Sequence, residues 1–508
     1  MPLADALRTA AARTPGKLAL VVENQTWSFA DFDEVTERMA LALAASGIRP
    51  GDRVALHFTN GFEIAACYYA CFKAGAIAVP LNTRMKGPEL AYVLNHSHVR
   101  LFIGQANLYG EIHDVRRSLE TLDDFFVSGD LSALSDVRPM SDLTNTLFTM
   151  GALDGVSLPS LDDDAVAVIM YTSGTTARPK GVTHTHRTLG HLAQAGLDVA
   201  DVRDNDVSGI VLPACHIFGL SVLVSTLMAG NTVVMIPRFE PAYLLAQIQE
   251  HGITVIGALP VMLNAMLHVP GAASYDLSRL RACFAGGDAV PTEVHRRFKA
   301  TFGVDVTEAC GMTEVQPYAC NPLYGRGKTG SIGVPAPGAR LRLIDALGRD
   351  AAPGEEGEVL VQSNAAMIGY WNDPDATAAT IRDGWLSTGD LARIDEDGYY
   401  WFVGRKKEII VRGGSNISPL EVEDNLYQHP AVREAGVVGV PSQAWGEIVH
   451  AFVALKNGAA ATEEELKQFL GARIAAYKIP EVITFVPELP KGLTGKVQRR
   501  ALKELAAR

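Results

Sequence analysis

One stretch of the chain combines hydroxyls, glycines and a lysine in a pattern suited to binding phosphate. Residues 171–181 read Tyr-Thr-Ser-Gly-Thr-Thr-Ala-Arg-Pro-Lys-Gly. The glycines let backbone N–H groups approach oxygen atoms closely, the hydroxyls add donors, and Lys180 adds a positive charge. The stretch is not a Walker loop, because no Gly-Lys-Ser or Gly-Lys-Thr sequence follows Gly174 at the required distance.

The sequence on either side indicates the elements that hold this stretch. Residues 165–170 are a short continuous apolar run, which fits a buried strand. Residues 184–189 read His-Thr-His-Arg-Thr-Leu and open a helix-like segment. We therefore predict a strand, a phosphate-binding loop and a helix in that order. An exposed polar turn is the alternative for such a run of Thr, Ser and Gly.

The order of the residues favours phosphate binding. It resembles the phosphate loop of the adenylate-forming enzymes (acyl-CoA synthetases, adenylation domains and luciferases), whose pattern is Thr-Ser-Gly-Thr-Thr-Gly-x-Pro-Lys-Gly. Ala177 stands where that pattern has a glycine, which makes the loop stiffer. The resemblance implies that Lys180 is catalytic, that Thr176 is also a metal ligand, and that the loop binds ATP. The implied ATP-binding residues are Thr172, Ser173, Gly174, Thr175 and Thr176.

A second motif lies at residues 308–314 and reads Glu-Ala-Cys-Gly-Met-Thr-Glu. It resembles the family pattern Tyr-Gly-x-Thr-Glu, which implies that Thr313 contacts the phosphoryl group and that Glu314 holds Mg²⁺. Gly311 matches the glycine of this nucleotide-binding motif. Cys310 stands where the family has an aromatic residue that stacks on adenine, and a thiol offers far less face than a ring. The sequence therefore leaves open how the base is held.

Further motifs of the family follow toward the carboxyl terminus. A Thr-Gly-Asp sequence ends at Asp390, which is implied to accept hydrogen bonds from both ribose hydroxyls, as a carboxylate can for a vicinal diol. Arg405 matches an arginine that also contacts the ribose, and Lys407 matches the hinge position. Gly414 falls in the segment that lines the pantetheine tunnel. The spacing Pro-Lys-x-x-x-Gly-Lys ends at Lys496 and implies a catalytic lysine, whereas a basic tail alone would be a solvated helix end.

The residues expected to form the acyl pocket lie at apparent strand ends. His216 matches a position that borders the acyl pocket in the family, and Phe218 and Met312 are candidates for apolar walls. The segment around His216 has no acid, unlike relatives that hold a substrate ammonium group. Small residues suit close approach of the acyl group or adenine, because ligands of open α/β sheets bind outside the carboxyl ends of strands. Gly286 and Gly287 are the residues expected to approach the nucleotide in this way, with a mere tight turn as the alternative. The small residues Gly257, Ala258, Ala285, Gly286 and Cys310 predict a roomy pocket, and Gly257 and Ala285 are the expected acyl-pocket residues among them.

Alternating helical and strand patterns in residues 1–160 predict a parallel sheet with helical crossovers. The resemblance, which runs from about residue 20 to 503, implies an α/β fold in two domains. Residues 1–404 would form a large N-terminal domain of two α/β sheet layers plus a distorted β-barrel, holding the ATP and acyl pockets. Residues 405–508 would form a small mobile α+β domain that acts as a lid.

The composition restricts the possible functions. The formal net charge of -12 disfavours a nucleic-acid partner, since phosphate neutralisation needs basic surface. Six scattered cysteines without a CxxC pair disfavour a zinc site and suit a reducing cytoplasm. The first residues lack a basic-then-apolar signal pattern, so we expect a cytoplasmic protein. The apolar region 220–236 is interrupted by polar residues and predicts a buried helix and strand, with no membrane span.

The resemblance implies an acyl-CoA synthetase that uses ATP, Mg²⁺ and coenzyme A. A carboxylate and ATP would give acyl-AMP and pyrophosphate, and coenzyme A would then give acyl-CoA and AMP. One alternative is an enzyme that loads an acyl-carrier protein in trans. Another is a non-catalytic sensor of adenylates, which the presence of Glu314 and Lys496 disfavours. The sequence does not identify the acid or the oligomeric state.

Overall fold

The computed structural model describes residues 1–122, 124–145, 156–172, 178–492 and 496–507. It contains a nine-stranded sheet, an eight-stranded sheet and two five-stranded sheets. Helices alternate with the strands of the two larger sheets. Strands from before residue 406 build the first three sheets, and strands from after residue 409 build the last one. The predicted fold class, α/β with a large N-terminal and a small C-terminal part, is confirmed.

Within the described ranges the strands are numbered β1 to β27 in chain order. They are Leu18–Val22, Gln25–Ser28, Arg53–His57, Ile77–Pro80, Val99–Gln105, Asp124–Ser128, Arg138–Pro139, Val166–Thr172, Lys180–Thr185, Val207–Ile210, Thr232–Met235, Val255–Ala258, Ala282–Ala285, Val306–Met312, Val315–Cys320, Val334–Pro335, Ala339–Ile344, Glu356–Ser363, Gly369–Tyr370, Ile381–Arg382, Trp385–Ile394, Tyr400–Arg405, Ile410–Arg412, Ser415–Ile417, Val432–Ser442, Gly446–Leu455 and Val482–Phe485.

The α-helices in the same ranges are numbered α1 to α15. They are Leu3–Arg13, Phe29–Ala45, Phe62–Ala74, Gly87–His96, Gly110–His113, Met140–Asn145, His186–Val199, Ile217–Met228, Pro241–His251, Pro260–Met266, Thr292–Phe302, Pro374–Thr380, Pro419–Tyr427, Glu463–Gly471 and Arg499–Ala506. None of these helices combines the length and the apolar character that a membrane crossing requires.

The nine-stranded sheet provides the edge on which the candidate site lies. Its order is β16-β15-β14-β13-β12-β10-β11-β1-β2, and the strands from β14 to β1 pair in parallel. The carboxyl ends of β10, β12, β13 and β14 therefore meet at one edge. β14 then turns back as the antiparallel strand β15, and residues 313–314 form the turn.

The eight-stranded sheet corrects one sequence prediction. Its order is β19-β9-β8-β4-β3-β5-β6-β7, with β8 and β9 antiparallel. A strand, Lys180–Thr185, thus follows the phosphate loop, where a helix was predicted. The β-branched residues Val182, Thr183 and Thr185 favour an extended chain. Helix α7 begins only at His186, where the Thr185 side chain caps it by accepting a hydrogen bond from the Thr188 N–H, 3.1 Å away.

The third sheet connects the two parts of the chain. Its strands run β17-β18-β21-β20, with β22 beside β21, and all of these pairs are antiparallel; it lies where the distorted barrel was expected. A turn at residues 406–408 leads from β22 to β23, the first strand of the last sheet. That sheet has the order β24-β23-β26-β25 with β27 beside β26, and helices α13 and α14 pack on its own apolar core.

Candidate active site

A cavity of about 620 Å³ opens at the carboxyl-terminal edge of the nine-stranded sheet. Most of the predicted site residues in the described ranges line it. They are Thr172, Lys180, His216, Phe218, Gly257, Gly286, Gly287, Cys310, Gly311, Met312, Thr313, Glu314, Arg405, Lys407 and Lys496. We call this space the main cavity. Residues from all of the distant sequence motifs except the Gly414 loop therefore meet in or beside one space.

The phosphate-binding stretch lies at the end of the β8–β9 hairpin. Thr172 is the last residue of β8 and pairs with Lys180, the first residue of β9. Four predicted phosphate ligands, Ser173, Gly174, Thr175 and Thr176, lie outside the described residues. The Lys180 ammonium lies 4.9 Å from the ring centroid of Tyr370, a cation–π distance that directs the charge toward the cavity.

Glu314 and Thr313 are held from both sides of the turn between β14 and β15. The Tyr370 hydroxyl donates to Oε1 of Glu314 at 2.8 Å. The His184 Nε2–H donates to the backbone oxygen of Thr313, also at 2.8 Å. Burial raises the pKa of Glu314 and lowers that of His184 to about 4, so His184 is neutral at neutral pH. Strand β9 thus supplies both Lys180 and the histidine that fixes the Thr313 turn.

The acidic residues fit a magnesium ion that arrives with a nucleotide. Among the described side chains, no group of three or more His, Cys, Asp or Glu could hold a metal ion. Mg²⁺ binds ATP enzymes through one or two carboxylates together with substrate phosphates and water. Glu314, which lines the main cavity with Lys180, is the carboxylate placed to fit this arrangement.

Asp390 and Arg405 form the predicted ribose end of the site. They face each other across β21 and β22, and Nε of Arg405 lies 3.1 Å from Oδ1 of Asp390, without hydrogen-bond alignment. The Tyr318 hydroxyl donates to Oδ2 of Asp390 at 2.7 Å, and the Cys310 thiol lies 2.9 Å from that hydroxyl. Burial raises the pKa of Asp390, and the charge of Arg405 opposes this. Cys310 is therefore linked through Tyr318 to Asp390, the predicted ribose ligand.

We expect Cys310→Tyr to lower the KM for ATP and to leave the KM for the acid unchanged. The reason is that Cys310 contacts Tyr318 and through it Asp390, and an added ring offers a stacking face worth about 1 kcal/mol, or roughly fivefold. Steady-state kinetics with each substrate varied would measure this. Cys320→Ala is the control, because Cys320 lies on the same hairpin outside the main cavity. A raised acid KM with an unchanged ATP KM would place Cys310 beside the acyl group instead.

Lys496 lies between two cavities. It lines the main cavity and also a second cavity of about 720 Å³, which lies between the C-terminal part, the third sheet and the edge of the nine-stranded sheet. A Cβ built on Gly287 would lie 3.1 Å from Cδ2 of Leu259 and 3.2 Å from Cε of Lys496, so a side chain there would crowd the lysine. Gly287 also has a φ of 87°, which favours glycine. Burial lowers the pKa of Lys496, and the nearby Arg405 adds to this.

The acyl-pocket residues are placed differently from the prediction in two respects. The space beside Gly257 and Gly286 is filled by the ring of Phe218, since a Cβ on Gly257 would lie 2.8 Å from that ring. These two glycines therefore accommodate Phe218 instead of enlarging the pocket. Ala285 lines only the second cavity, whereas its neighbour Phe284 lines the main one. Successive side chains of a strand point to opposite faces, which explains the exchange.

His216 has a structural contact in addition to its place in the main cavity. It precedes α8, and its Nδ1 accepts a hydrogen bond from the Phe218 N–H at 3.4 Å. Burial and the charge of Lys496 lower the pKa of His216 to about 4. The ring is therefore neutral at neutral pH and adds no charge to the acyl side.

Two other predicted residues lie apart from the main cavity or at its border. Gly414 is in the exposed turn between β23 and β24 and lines neither cavity. Lys407 lies in the turn that joins the third sheet to the C-terminal part, and it also borders the main cavity. The placement of Lys407 suits a hinge, and the role of Gly414 stays a prediction.

Three residues that hold the site were not assigned roles from the sequence. Tyr370 binds Glu314, His184 binds the Thr313 carbonyl, and Tyr318 binds Asp390. Tyr370 belongs to none of the motifs above, and His184 belongs to residues 184–189, which were predicted to open a helix. Their partners lie 56 and 129 residues away in the chain. Only the fold brings them together, so spacing carried no signal for them.

Two family models match the chain. One, described as AMP-binding enzyme, matches residues 7–371, and the other, AMP-binding enzyme C-terminal domain, matches residues 421–496. A long-chain-fatty-acid–CoA ligase of Bacillus subtilis is 35% identical to the chain, covering 99% of it and 94% of the relative. A fatty acid–[acyl-carrier-protein] ligase of Streptomyces coeruleorubidus is 33% identical, covering 96% and 93%.

Solved structures share the whole fold. An anthranilate CoA ligase in complex with anthranoyl-AMP superposes with a TM-score of 0.93 at 30% sequence identity, covering 100% of this chain and 98% of that one. A bound acyl-AMP in that protein shows that the shared fold accommodates an adenylate.

Proposed function

Since the chain belongs to the AMP-binding enzyme family, we propose that it is an AMP-forming acid–CoA ligase whose acid is an apolar monocarboxylate. The observation that carries the proposal is the composition of the main cavity. Its sheet-edge end gathers charged residues, among them Lys180, Glu314 and Lys496, and one branch extends from there between α7 and α8 as a channel lined mostly by apolar residues.

The charged end suits the first step. A carboxylate oxygen attacks the α-phosphorus of ATP, the bond to the β-phosphate oxygen breaks, and pyrophosphate leaves with the bonding electrons. Negative charge grows on the phosphoryl oxygens, and fixed positive groups stabilise it. Lys180 and Lys496 are those groups, and Asp390 and Arg405 hold the ribose. Magnesium, held by Glu314 and the phosphates, supplies further charge stabilisation when bound.

The second step uses the same site differently. The thiol of coenzyme A loses its proton to water and attacks the acyl carbon, and the bond to the AMP oxygen breaks. We place the domain boundary at residues 404–405, so that the C-terminal domain turns at Lys407 and withdraws Lys496. The supporting observation is that Lys496 lies on the border shared by the main cavity and the second one, together with Gly287, Cys310 and Arg405. Withdrawal of Lys496 would clear part of that border.

The channel of the main cavity sets the class of acid. The described residues along it are uncharged: Leu192, Gly196, Val199, Ala200, Ser221, Val222, Ser225, Val255 and Phe284. The hydroxyl hydrogens of the two serines are already used in hydrogen bonds within α8. Ser221 donates to the Phe218 carbonyl at 2.7 Å, and Ser225 donates to the Val222 carbonyl at 3.2 Å. An unpaired carboxylate or ammonium at the far end of the substrate would therefore be disfavoured.

The length of the channel limits the size of the acid. The lining residues run from Leu192 to Ala200 along α7, about 12 Å at 1.5 Å per residue. They run from Leu259 back to Val255 along β12, about 13 Å at 3.3 Å per residue. An extended chain advances roughly 1.2 Å per bond, so about ten carbons fit. We infer a medium-chain or aryl acid of that length.

The direct test is pyrophosphate release by the purified protein with a panel of acids. We expect ATP-dependent release with octanoate, decanoate and phenyl-substituted acids, weak release with malonate, and continued turnover only when coenzyme A is present. A carrier-protein ligase is the second candidate, because one relative bears that name. Turnover that requires an acyl-carrier protein and ignores coenzyme A would support it. Absence of pyrophosphate release with every acid would refute both.

We expect Gly196→Leu to shorten the acid that the enzyme accepts. A Cβ on Gly196 meets no atom within 4 Å, so the new side chain enters the channel. Gly196 lies toward the end of α7 that leads to the start of β10, away from the reacting edge. Activity on decanoate should fall at least about tenfold, as pocket misfits of this kind do, while activity on butyrate stays.

The matched control is Gly190→Leu on the same helix. Gly190 also has open space for a side chain but lies outside the main cavity. Equal kcat/KM ratios for decanoate and butyrate in Gly196→Leu and in the wild type would contradict the assigned channel.

A further inference from the structure

An arginine near the end of the chain has a buried network of contacts that the reaction scheme does not use. Arg499 is the first residue of α15 and stands three residues after Lys496. Its side chain is only 16% exposed. We propose that Arg499 is a positioning residue that holds Lys496 in place for adenylate formation. This inference rests on the proposed function and adds to it a residue outside the reacting groups.

The first contact of Arg499 is a bidentate ion pair with Glu423 inside the C-terminal part. Its Nη2 donates to Oε2 of Glu423 at 3.0 Å, and its Nη1 donates to Oε1 of the same carboxylate and to the Val437 carbonyl. Oε1 of Glu423 also accepts the Val437 N–H at 2.6 Å. A planar guanidinium bound in this way has a fixed orientation as well as a fixed position. The start of α15 is thereby fixed to α13 and β25.

The second contact reaches the proposed hinge. Nε of Arg499 donates to Oε2 of Glu408 at 3.0 Å. Glu408 directly follows Lys407 in the turn between the third sheet and the last one. One side chain thus joins the first turn of α15, the core of the C-terminal part and the segment about which that part would rotate.

The loop that carries Lys496 depends on this attachment. Lys491 and Val497 form an antiparallel bridge, and the Gly492 N–H donates to the Lys496 carbonyl at 2.8 Å. The Gln498 N–H donates to the Pro490 carbonyl, also at 2.8 Å. These bonds close the loop on itself, and Arg499 ties the closed loop to α13 and to the hinge segment. A shift at Arg499 would therefore move the Lys496 ammonium relative to the phosphates.

Arg499→Met should reduce the adenylation kcat by about 100-fold, the cost of misplacing a reacting group by roughly 1 Å. Transfer from supplied acyl-AMP to coenzyme A should continue at the wild-type rate, because that step does not use Lys496. Arg499→Lys should recover only part of the loss, since an ammonium cannot bind both carboxylate oxygens in a plane. The matched control is Arg500→Met: Arg500 is 84% exposed and pairs with Glu504 one turn along α15.

A second variant separates positioning from folding. Arg499→Met leaves the buried Glu423 carboxylate without its ion-pair partner. An unpaired buried charge destabilises the fold, whatever happens to Lys496. Arg499→Met combined with Glu423→Gln removes both charges and should restore the melting temperature, while adenylation stays slow and thioester formation stays normal. Equal loss of both half-reactions, or recovery of adenylation together with the melting temperature, would overturn the inference.

Assays of the wild-type enzyme separate failure of the proposed function from failure of the role of Arg499. If the wild type releases no pyrophosphate with any acid, the proposed function fails. If the wild type does so and Arg499→Met matches it in both half-reactions, only the role of Arg499 fails.

Discussion

Lys496→Ala is expected to abolish pyrophosphate release from acid and ATP while preserving thioester formation from supplied acyl-AMP. Lys496 lines the main cavity together with Lys180 and Glu314, where the α-phosphate would be attacked. Removing one fixed group that stabilises transition-state charge costs about 10²–10³ in rate. The second half-reaction involves no attack on phosphorus, so the loss should not extend to it.

Separate assays of the two half-reactions would measure this difference. Lys491→Ala is the matched control, because Lys491 stands in the same loop, pairs with Glu434 at 2.7 Å and does not line the main cavity. It should keep both activities. A Lys496→Ala enzyme that loses both half-reactions equally would show that the lysine serves the fold or a common step.

Glu314→Gln is expected to slow adenylation by roughly 100-fold or more, since several kcal/mol of charge stabilisation depend on a bound metal ion. The substitution isolates the charge. An amide oxygen can still accept the hydrogen bond that the Tyr370 hydroxyl gives to Oε1 of Glu314. What disappears is the anionic ligand, so the variant should also need more magnesium to reach its own maximal rate.

A magnesium titration of pyrophosphate release would reveal both effects. Glu308→Gln is the comparison: Glu308 is a buried carboxylate on β14, the strand that leads to the turn with Glu314. It faces the second cavity and accepts a hydrogen bond from the Gly330 N–H. Its magnesium dependence should match that of the wild type. Near-normal adenylation by Glu314→Gln at ordinary magnesium concentration would exclude Glu314 as the metal ligand.

The parts of the fold with strong local signals were predictable from sequence. Within the alternating pattern of residues 1–160, residues 67–74 predict a helix that stops at Gly75, and residues 76–80 predict the next strand. The structure has both elements there, and Gly75 adopts a φ of 73° at the end of the helix. The helix expected to open in residues 184–189 is present but begins at His186, and the strand Lys180–Thr185 before it was not predicted. His184 and Thr185 pair with β8 instead, and an inter-strand ladder of this kind outweighs a local resemblance to a helix start.

The site was predictable only where it consists of contiguous motifs. Thr313, Glu314 and Lys180 come from such motifs and meet in the main cavity. By contrast, Tyr318 binds Asp390, which is 72 positions away in sequence, and Arg499 binds Glu423, which is 76 positions away. Contacts over such distances leave no local pattern in the sequence. The position of the Phe218 ring beside Gly257 and Gly286 could not be predicted from the sequence either. Small residues in a sequence do not reveal which side chain fills the space beside them.

The apolar channel and the reacting end of the main cavity are built from different elements. Under the proposed function, helices α7 and α8 would surround the acyl chain, whereas the hairpin ends and the C-terminal loop would supply the groups that act on ATP. A substitution at Gly196 can therefore change which acid the enzyme accepts without altering the groups expected to act on ATP. Related enzymes can therefore evolve different acid specificities through single substitutions in α7 or α8. Each such substitution leaves the catalytic groups unchanged, so every intermediate remains active and open to selection.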